Sequence, residues 1–314
     1  MARMSESTFL SSDGKTQLYY RVYLPEDEAV GIVQLVHGIA EHISRYDDFA
    51  NFLADHGYIV AGHDQLGHGM SSLNESTLGF FSEKDGWEKA VEDIHTLHDI
   101  VAERFPGKPY ILFGHSMGSF LARTYLIQYK SGLDGAIISG TGQQSRALVT
   151  GGRLMSALEM RRHGATYKST LLNNMAFGSY TKKLGHVRTP SDWLSRDEEN
   201  VKAYMADPLC GFPFTPYGYA DLMGAMGHIA NAKWAAKVPN RPILLISGDM
   251  DPVGGMGKGV KKVDRYLENS GHTRVTFKLY PGARHEILNE TNRKEVYADV
   301  LLFLEAVAAG GELE

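Results

Sequence analysis

Short apolar runs along this chain alternate with longer stretches in which apolar residues recur every three or four positions. The runs are Gly31–Val36, Tyr58–His63, Tyr110–Phe113, Gly135–Ser139, Pro242–Ser247 and Arg274–Tyr280. Four of them are rich in Val, Ile and Leu with little alternation, the pattern of strands buried on both faces. The helical period marks Tyr46–His56, Trp87–Arg104, Met117–Tyr129, Lys258–Asn269 and Asn292–Ala308, each between two strands or after the last. Strand and helix in alternation predict an α/β fold with a mostly parallel central sheet flanked by helices. Ahead of them, Thr8–Leu10 and Leu18–Leu24 flank the turn signal Ser12-Asp13-Gly14, which predicts an antiparallel hairpin.

The rhythm breaks between about Gln143 and Met223, where Met, Leu and Phe are frequent and no buried strand is evident. Its charge divides unevenly: Gln143–Pro190 holds eight Lys or Arg and the single acid Glu159, whereas Ser191–Gly224 holds six acids against Arg196 and Lys202. This segment reads as a mainly helical cap inserted over the C-terminal edge of the sheet, where open α/β sheets place their sites. The expected organisation is a core of residues 1–142, a cap of 143–223 and a second core part of 224–314.

Composition narrows the classes. At 314 residues the chain can bury a large core, and its 43% hydrophobic and 22% charged content is that of a globular protein. A formal charge of −5 argues against a nucleic-acid binder. The single Cys210 allows no intrachain disulfide. Met1–Gly14 has no signal-like apolar core and no run is long enough to span a bilayer, so the cytoplasm is the expected compartment. The closing Gly310–Gly311–Glu312–Leu313–Glu314 reads as a frayed tail.

Gly114-His115-Ser116-Met117-Gly118 matches G-x-S-x-G. The match alone is weak, but a strand precedes it and a helical pattern follows, the context a nucleophile elbow needs. A serine hydroxyl requires a base to take its proton and an acid to orient that base. Two acids, Asp249 and Asp251, close the run Ile243–Gly248, and His285 follows the run ending at Tyr280. Both candidates thus lie at the same sheet edge as Ser116, in the chain order Ser, Asp, His. Asp251 stands further out of its strand and is the better orienting acid, leaving Asp249 as a turn residue. An oxyanion hole would take one backbone N–H from Met117 and one from Ile39, after the early strand that ends in His37-Gly38.

His37-Gly38-Ile39-Ala40-Glu41-His42, His63-Asp64-Gln65-Leu66-Gly67-His68-Gly69 and Gly114-His115-Ser116-Met117-Gly118 together resemble the monoacylglycerol lipase and lysophospholipase branch of the α/β-hydrolases. The resemblance runs to about Gly140 and resumes from Ile243 to His285, leaving the cap unmatched. It implies an α/β-hydrolase fold, a catalytic triad of Ser116, Asp251 and His285, and oxyanion donors at Ile39 and Met117. It also implies that Asp64, Gly67, His68 and Gly69 hold the loop near the elbow. Ser119 departs from the second glycine that many relatives carry, in the first turn of the helix.

The expected activity is cofactor-free hydrolysis of a carboxylic ester through an acyl-enzyme, on a small ester or lipid such as a monoacylglycerol or lysophospholipid. A short-chain or aryl ester, or a peptidase or acyl transferase using the same triad, stays open. No H-E-x-x-H or Cys pair suggests a metal, and His42, His63 and His115 read as packing or loop residues. In the cap, Met155, Leu158, Met160, Met175 and Phe177 could line an acyl pocket or form the cap's own core. The basic half of the cap could touch an anionic membrane surface weakly, or pair with the acidic half.

Overall fold

The computed structural model describes residues 3–72 and 74–310. The expected tail beyond Gly310 lies outside the described residues. The chain builds one eight-stranded sheet from β1 (Arg3–Leu10), β2 (Gln17–Leu24), β3 (Gly31–Val36), β4 (Tyr58–His63), β5 (Tyr110–His115), β6 (Gly135–Ser139), β7 (Ile243–Gly248) and β8 (Val275–Tyr280). Its spatial order is β1-β2-β4-β3-β5-β6-β7-β8. β1 and β2 pair antiparallel, β2 joins β4 antiparallel, and every later pairing is parallel.

Strands β3 to β7 are buried at every position, which is why they read as unbroken apolar runs. Alternate residues feed two cores. Ile32, Leu112 and Leu245 face one, while Val33, Ile111 and Leu244 face the other. The first core is covered by α2 (Gly86–Arg104), α3 (Met117–Gln128) and α8 (Lys258–Glu268), the second by α1 (Asp47–Asp55) and α9 (Arg293–Ala308). On α9, Val296, Val300, Phe303, Leu304 and Val307 are the buried stripe of a helical period. The hairpin is longer than its sequence signal: β1 begins at Arg3, because an edge strand with mostly exposed residues carries no apolar run.

Between β6 and β7 the chain inserts α4 (Arg146–His163), α5 (Thr170–Phe177), α6 (Glu198–Ala206) and α7 (Pro216–His228). The last of these runs through Met223, so helix continues past the expected cap boundary. Pro216 sits in its first turn and Thr215 caps it by accepting the Gly218 N–H, a strong start that sequence reading passed over. Where the insertion leaves and rejoins the core, Arg123 of α3 binds the departing end and Gln143 links it to the returning one. Its guanidinium donates to the Gly142 carbonyl (2.9 Å) and the Gln143 side-chain oxygen (2.6 Å), and the Gln143 amide donates to the Ile229 carbonyl (2.7 Å). Arg123 is wholly buried, stacks 4.3 Å from the Trp234 ring, and burial lowers its pKa to about 9.

Candidate active site

Ser116 stands between β5 and α3 with φ 53° and ψ −118°, a conformation an L residue holds only when its surroundings enforce it. The flanking glycines make that turn sterically feasible. A Cβ on Gly114 would lie 2.4 Å from the Gly118 carbonyl oxygen, and one on Gly118 would lie 2.1 Å from that of Val36. Ser119 uses its hydroxyl to donate to the Ser116 carbonyl at 2.5 Å, so the departure from glycine adds a tie inside the elbow.

His285 lies beyond β8 with its Nδ1 3.0 Å from Asp251 Oδ1, and both side chains are almost fully buried. Asp251 is itself oriented: the Val253 N–H donates to Oδ1 at 2.8 Å and the Ser247 hydroxyl to Oδ2 at 3.2 Å. Asp249 instead accepts the Gly282 N–H at 2.7 Å, within the adjoining turn. Burial works against a charge on His285. Asp251, through its charge and hydrogen bonding, together with Glu286 and Glu41, outweighs that burial and raises the imidazole pKa above 6.5. The neighbouring His115, with its ring centre 4.7 Å away, behaves oppositely. Burial and then the field of His285 lower it to about 4, leaving it neutral.

The loop after β3 reaches over Ser116 and is held from several sides. Glu41 accepts the Gly38 N–H (2.5 Å) and the Tyr46 hydroxyl (2.8 Å) on one oxygen and Arg45 on the other (2.9 Å). Ala40 adopts φ 52°, and its carbonyl accepts the Gly211 N–H (2.9 Å) and the Tyr204 hydroxyl (3.2 Å), both from the insertion. Asp64 secures the loop's far side by accepting the Ile43 and Met70 N–H groups, each at 2.7 Å. Gly67 and Gly69 pack against Phe80 and Asp64, where a Cβ would clash, and the His68 ring stacks among Phe81, Phe212 and Phe214.

Several groups that secure His285 gave no signal in the sequence. Glu286 binds Arg45 through both oxygens and accepts the Asn200 amide at 2.9 Å. The His285 and Glu286 N–H groups donate to the carbonyls of Trp193 (3.3 Å) and Leu194 (2.7 Å), and the Trp193 ring centre is 5.1 Å from that of His285. His285 is therefore framed by the insertion as well as by the core.

A cavity of about 390 Å³ opens at Ser116, with Ile39 and Met117 in its wall. Leu172, Met175, Ala176 and Phe177 come from α5, and Tyr219, Leu222, Met223 and Met226 from α7. Met155, Leu158 and Met160, candidates from composition, stand off this cavity. The α4 face turned to it is Leu148, Gly152 and Ser156, four residues apart. Leu158 is displaced from Ser156 by about 200° of helical turn and is exposed, whereas Met155 packs against the main core. A second cavity of about 280 Å³ shares Ile39, Phe177 and Tyr219 with the first and adds the polar side chains of Asn173, Asn174, Thr181 and Ser191. Neither cavity has Asp or Glu in its lining among the described residues.

The family described as serine aminopeptidase, S33, matches residues 27–292. The chain is 31% identical to a monoacylglycerol lipase of Mycolicibacterium smegmatis over 296 residues, covering 94% of this chain and 95% of that one. It is 26% identical to the monoglyceride lipase of Homo sapiens, over 90% of this chain and 83% of the relative. Among solved structures it is similar to a thermostable carboxyl esterase from Bacillus coagulans in complex with glycerol. That likeness has a TM-score of 0.91 and 34% identity, and covers 98% of this chain and 99% of the esterase.

Proposed function

The chain belongs to the serine aminopeptidase S33 family of α/β-hydrolases, and from that membership we propose a serine hydrolase that cleaves monoacylglycerol-like carboxylic esters. The observation that carries the substrate class is the pair of cavities meeting at Ile39. One is mainly apolar and lined by Ser116, and the other carries amide and hydroxyl groups. The first suits an acyl chain and the second a small hydroxylated alcohol. A peptidase would need a carboxylate to hold a substrate's amino terminus, and the carboxylate-free linings favour an ester.

In this reading His285 takes the Ser116 proton as Ser116 attacks the carbonyl, with Asp251 holding the imidazole and stabilising its charge. The oxygen that becomes negative is received by the Ile39 and Met117 N–H groups. Collapse of the tetrahedral adduct breaks the ester C–O bond, and His285 passes its proton to the departing alcohol. Water then enters and attacks the acyl carbon as it loses a proton to His285; the acyl–Ser116 bond breaks, His285 returns the proton to Ser116, and the acid is released. Neutral His285 is the competent form, and the raised pKa makes it a strong base.

The deciding experiment compares a glycerol monoester, an ethyl ester and an amide of one fatty acid, with wild type beside Ser116→Ala. We expect the highest kcat/KM on the glycerol ester and loss of turnover in the variant by roughly 10⁴-fold or more. Equal rates on ethyl and glycerol esters would remove the alcohol-site argument. Faster amide than ester turnover would replace the lipase reading with a peptidase.

A further inference from the structure

Beside the loop that reaches over Ser116, three ligating side chains converge from two distant stretches of sequence. His42 follows β3, while Asp207 and Cys210 follow α6 in the insertion. Their imidazole nitrogen, carboxylate oxygen and sulfur all lie within 4.8 Å of one another. We infer that His42, Asp207 and Cys210 form a binding site for one zinc-class divalent cation, which pins the insertion to the core.

The donor set is the first reason. Imidazole, carboxylate and thiolate together suit a borderline-soft ion, and three protein ligands with a water complete a tetrahedron. Metal–ligand bonds of about 2.0–2.3 Å place tetrahedral ligands roughly 3.3–3.8 Å apart, so the 2.9 Å His42–Asp207 pair must open slightly and the sulfur, within 4.8 Å of both, must close by up to about 1.5 Å. The site is also preorganised. Asp207 Oδ1 accepts the Leu209 N–H at 2.8 Å, while Oδ2 faces His42 Nε2 at 2.9 Å. The Cys210 N–H donates to the Asp207 carbonyl at 3.0 Å, a turn that brings thiol and carboxylate together.

Charge points the same way. Glu41 and Glu286 share the one guanidinium of Arg45, at 2.9 and 2.6 Å, and Asp207 adds a third carboxylate to that neighbourhood. Three acids against one guanidinium leave negative charge for a cation to neutralise. His42 and Cys210 each keep 9% of their surface exposed, and the Asp207 side chain keeps 32%, which gives an entry path. The His95, His98 and Asp99 group is a poorer candidate, because Asp99 is exposed.

On binding, the Cys210 S–H proton leaves to solvent and the sulfur lone pair forms the metal bond. His42 coordinates through Nε2 with its hydrogen on Nδ1, and no atom changes oxidation state. The ion then replaces the His42–Asp207 contact and joins a seam already made by Gly211 and Tyr204 on the Ala40 carbonyl.

The test is equilibrium dialysis of the chelator-stripped full chain against zinc chloride, with cobalt(II) as a spectroscopic substitute. We expect one equivalent of zinc and a thiolate-to-cobalt charge-transfer band in the wild type. Cys210→Ser should lose that band, and Cys210→Ser and His42→Gln should each weaken zinc at least about tenfold. Zinc should also raise the unfolding midpoint of the wild type by several degrees but not that of Cys210→Ser. Less than one equivalent at millimolar zinc, a cobalt spectrum without the thiolate band, or unchanged affinity in both variants would overturn the assignment. The wild-type spectrum decides the matter even if one variant fails to fold.

Discussion

Arg45 holds Glu286 through two parallel N–H···O bonds of 2.6 and 2.7 Å, tying the loop that carries His285 to a residue 241 positions earlier. Glu41 accepts from the same guanidinium, so one buried cation braces both the loop over Ser116 and the loop of His285. Asn200 and the Tyr204 ring bring the insertion into the same cluster.

Acid stability should report this cluster. Burial would raise the Glu286 pKa, but the charge and hydrogen bonds of Arg45 outweigh it and lower the value from 4.5 to about 2. A depressed carboxylate contributes stability that is present above 4.5 and lost as pH falls towards 2. Between pH 6 and pH 2.5 the wild type should lose up to about 3 kcal/mol more than Glu286→Gln. Denaturant unfolding at the two pH values measures the difference, and equal losses would exclude this role.

Activity should carry a related signature. As the proposed base, His285 must be neutral to accept a proton, and its pKa is raised, so kcat/KM should fall on the acid side with a midpoint above 6.5. Glu286 contributes to the raising, so Glu286→Gln should move that midpoint to lower pH. A pH–rate profile checks this, and a midpoint that does not move would remove Glu286 from the account.

The two acids after β7 should separate cleanly. Asp251→Asn keeps the shape but removes the charge facing His285 Nδ1, and kcat should fall by roughly 10⁴-fold. Asp249→Asn loses only part of a turn contact to Gly282, and turnover should change less than about fivefold. Steady-state kinetics on one ester distinguishes them.

Acyl-chain preference should respond to cavity position rather than to hydrophobicity. Ala176 lines the cavity, and Ala176→Phe should move the optimum of a p-nitrophenyl ester series to shorter chains. Leu158→Gln, on the exposed side of α4, should leave that optimum in place. A shift in the second variant would show that α4 packs differently during turnover.

Arg123 should be costly to remove. Arg123→Met leaves the Gly142 carbonyl and the Gln143 oxygen buried without their donor, and stability should fall by about 2–4 kcal/mol. Lysine lacks the planar fork that reaches both groups and should restore less than half. Thermal unfolding of the two variants measures the loss and the rescue.

Much of this architecture was legible from residue order. Strands β3 to β7 showed themselves because burial on both faces removes polar positions, and the motif at Ser116 gained weight from its strand and helix. β1 was only partly legible, since an edge strand is allowed to be polar. The acyl candidates on α4 were chosen by residue type, whereas helical phase selects Leu148, Gly152 and Ser156. Arg45 and Glu286 gave no signal, because their meaning lies in contacts between distant segments. His42 and Asp207, 165 positions apart, are a further instance.

The bond from the Gln143 amide to the Ile229 carbonyl has a consequence for how such chains diversify. The entry and exit of the insertion are neighbours, so everything between them behaves as a cassette mounted on one socket. A replacement of different length can start and finish at the same two points, since loop-closure entropy rises slowly with length, but it must also supply the carbonyls that Trp193 and Leu194 offer to the His285 and Glu286 N–H groups. Parts of the insertion that do not meet the His285 loop are therefore the ones that can be exchanged while Ser116, Asp251 and His285 keep their mutual positions.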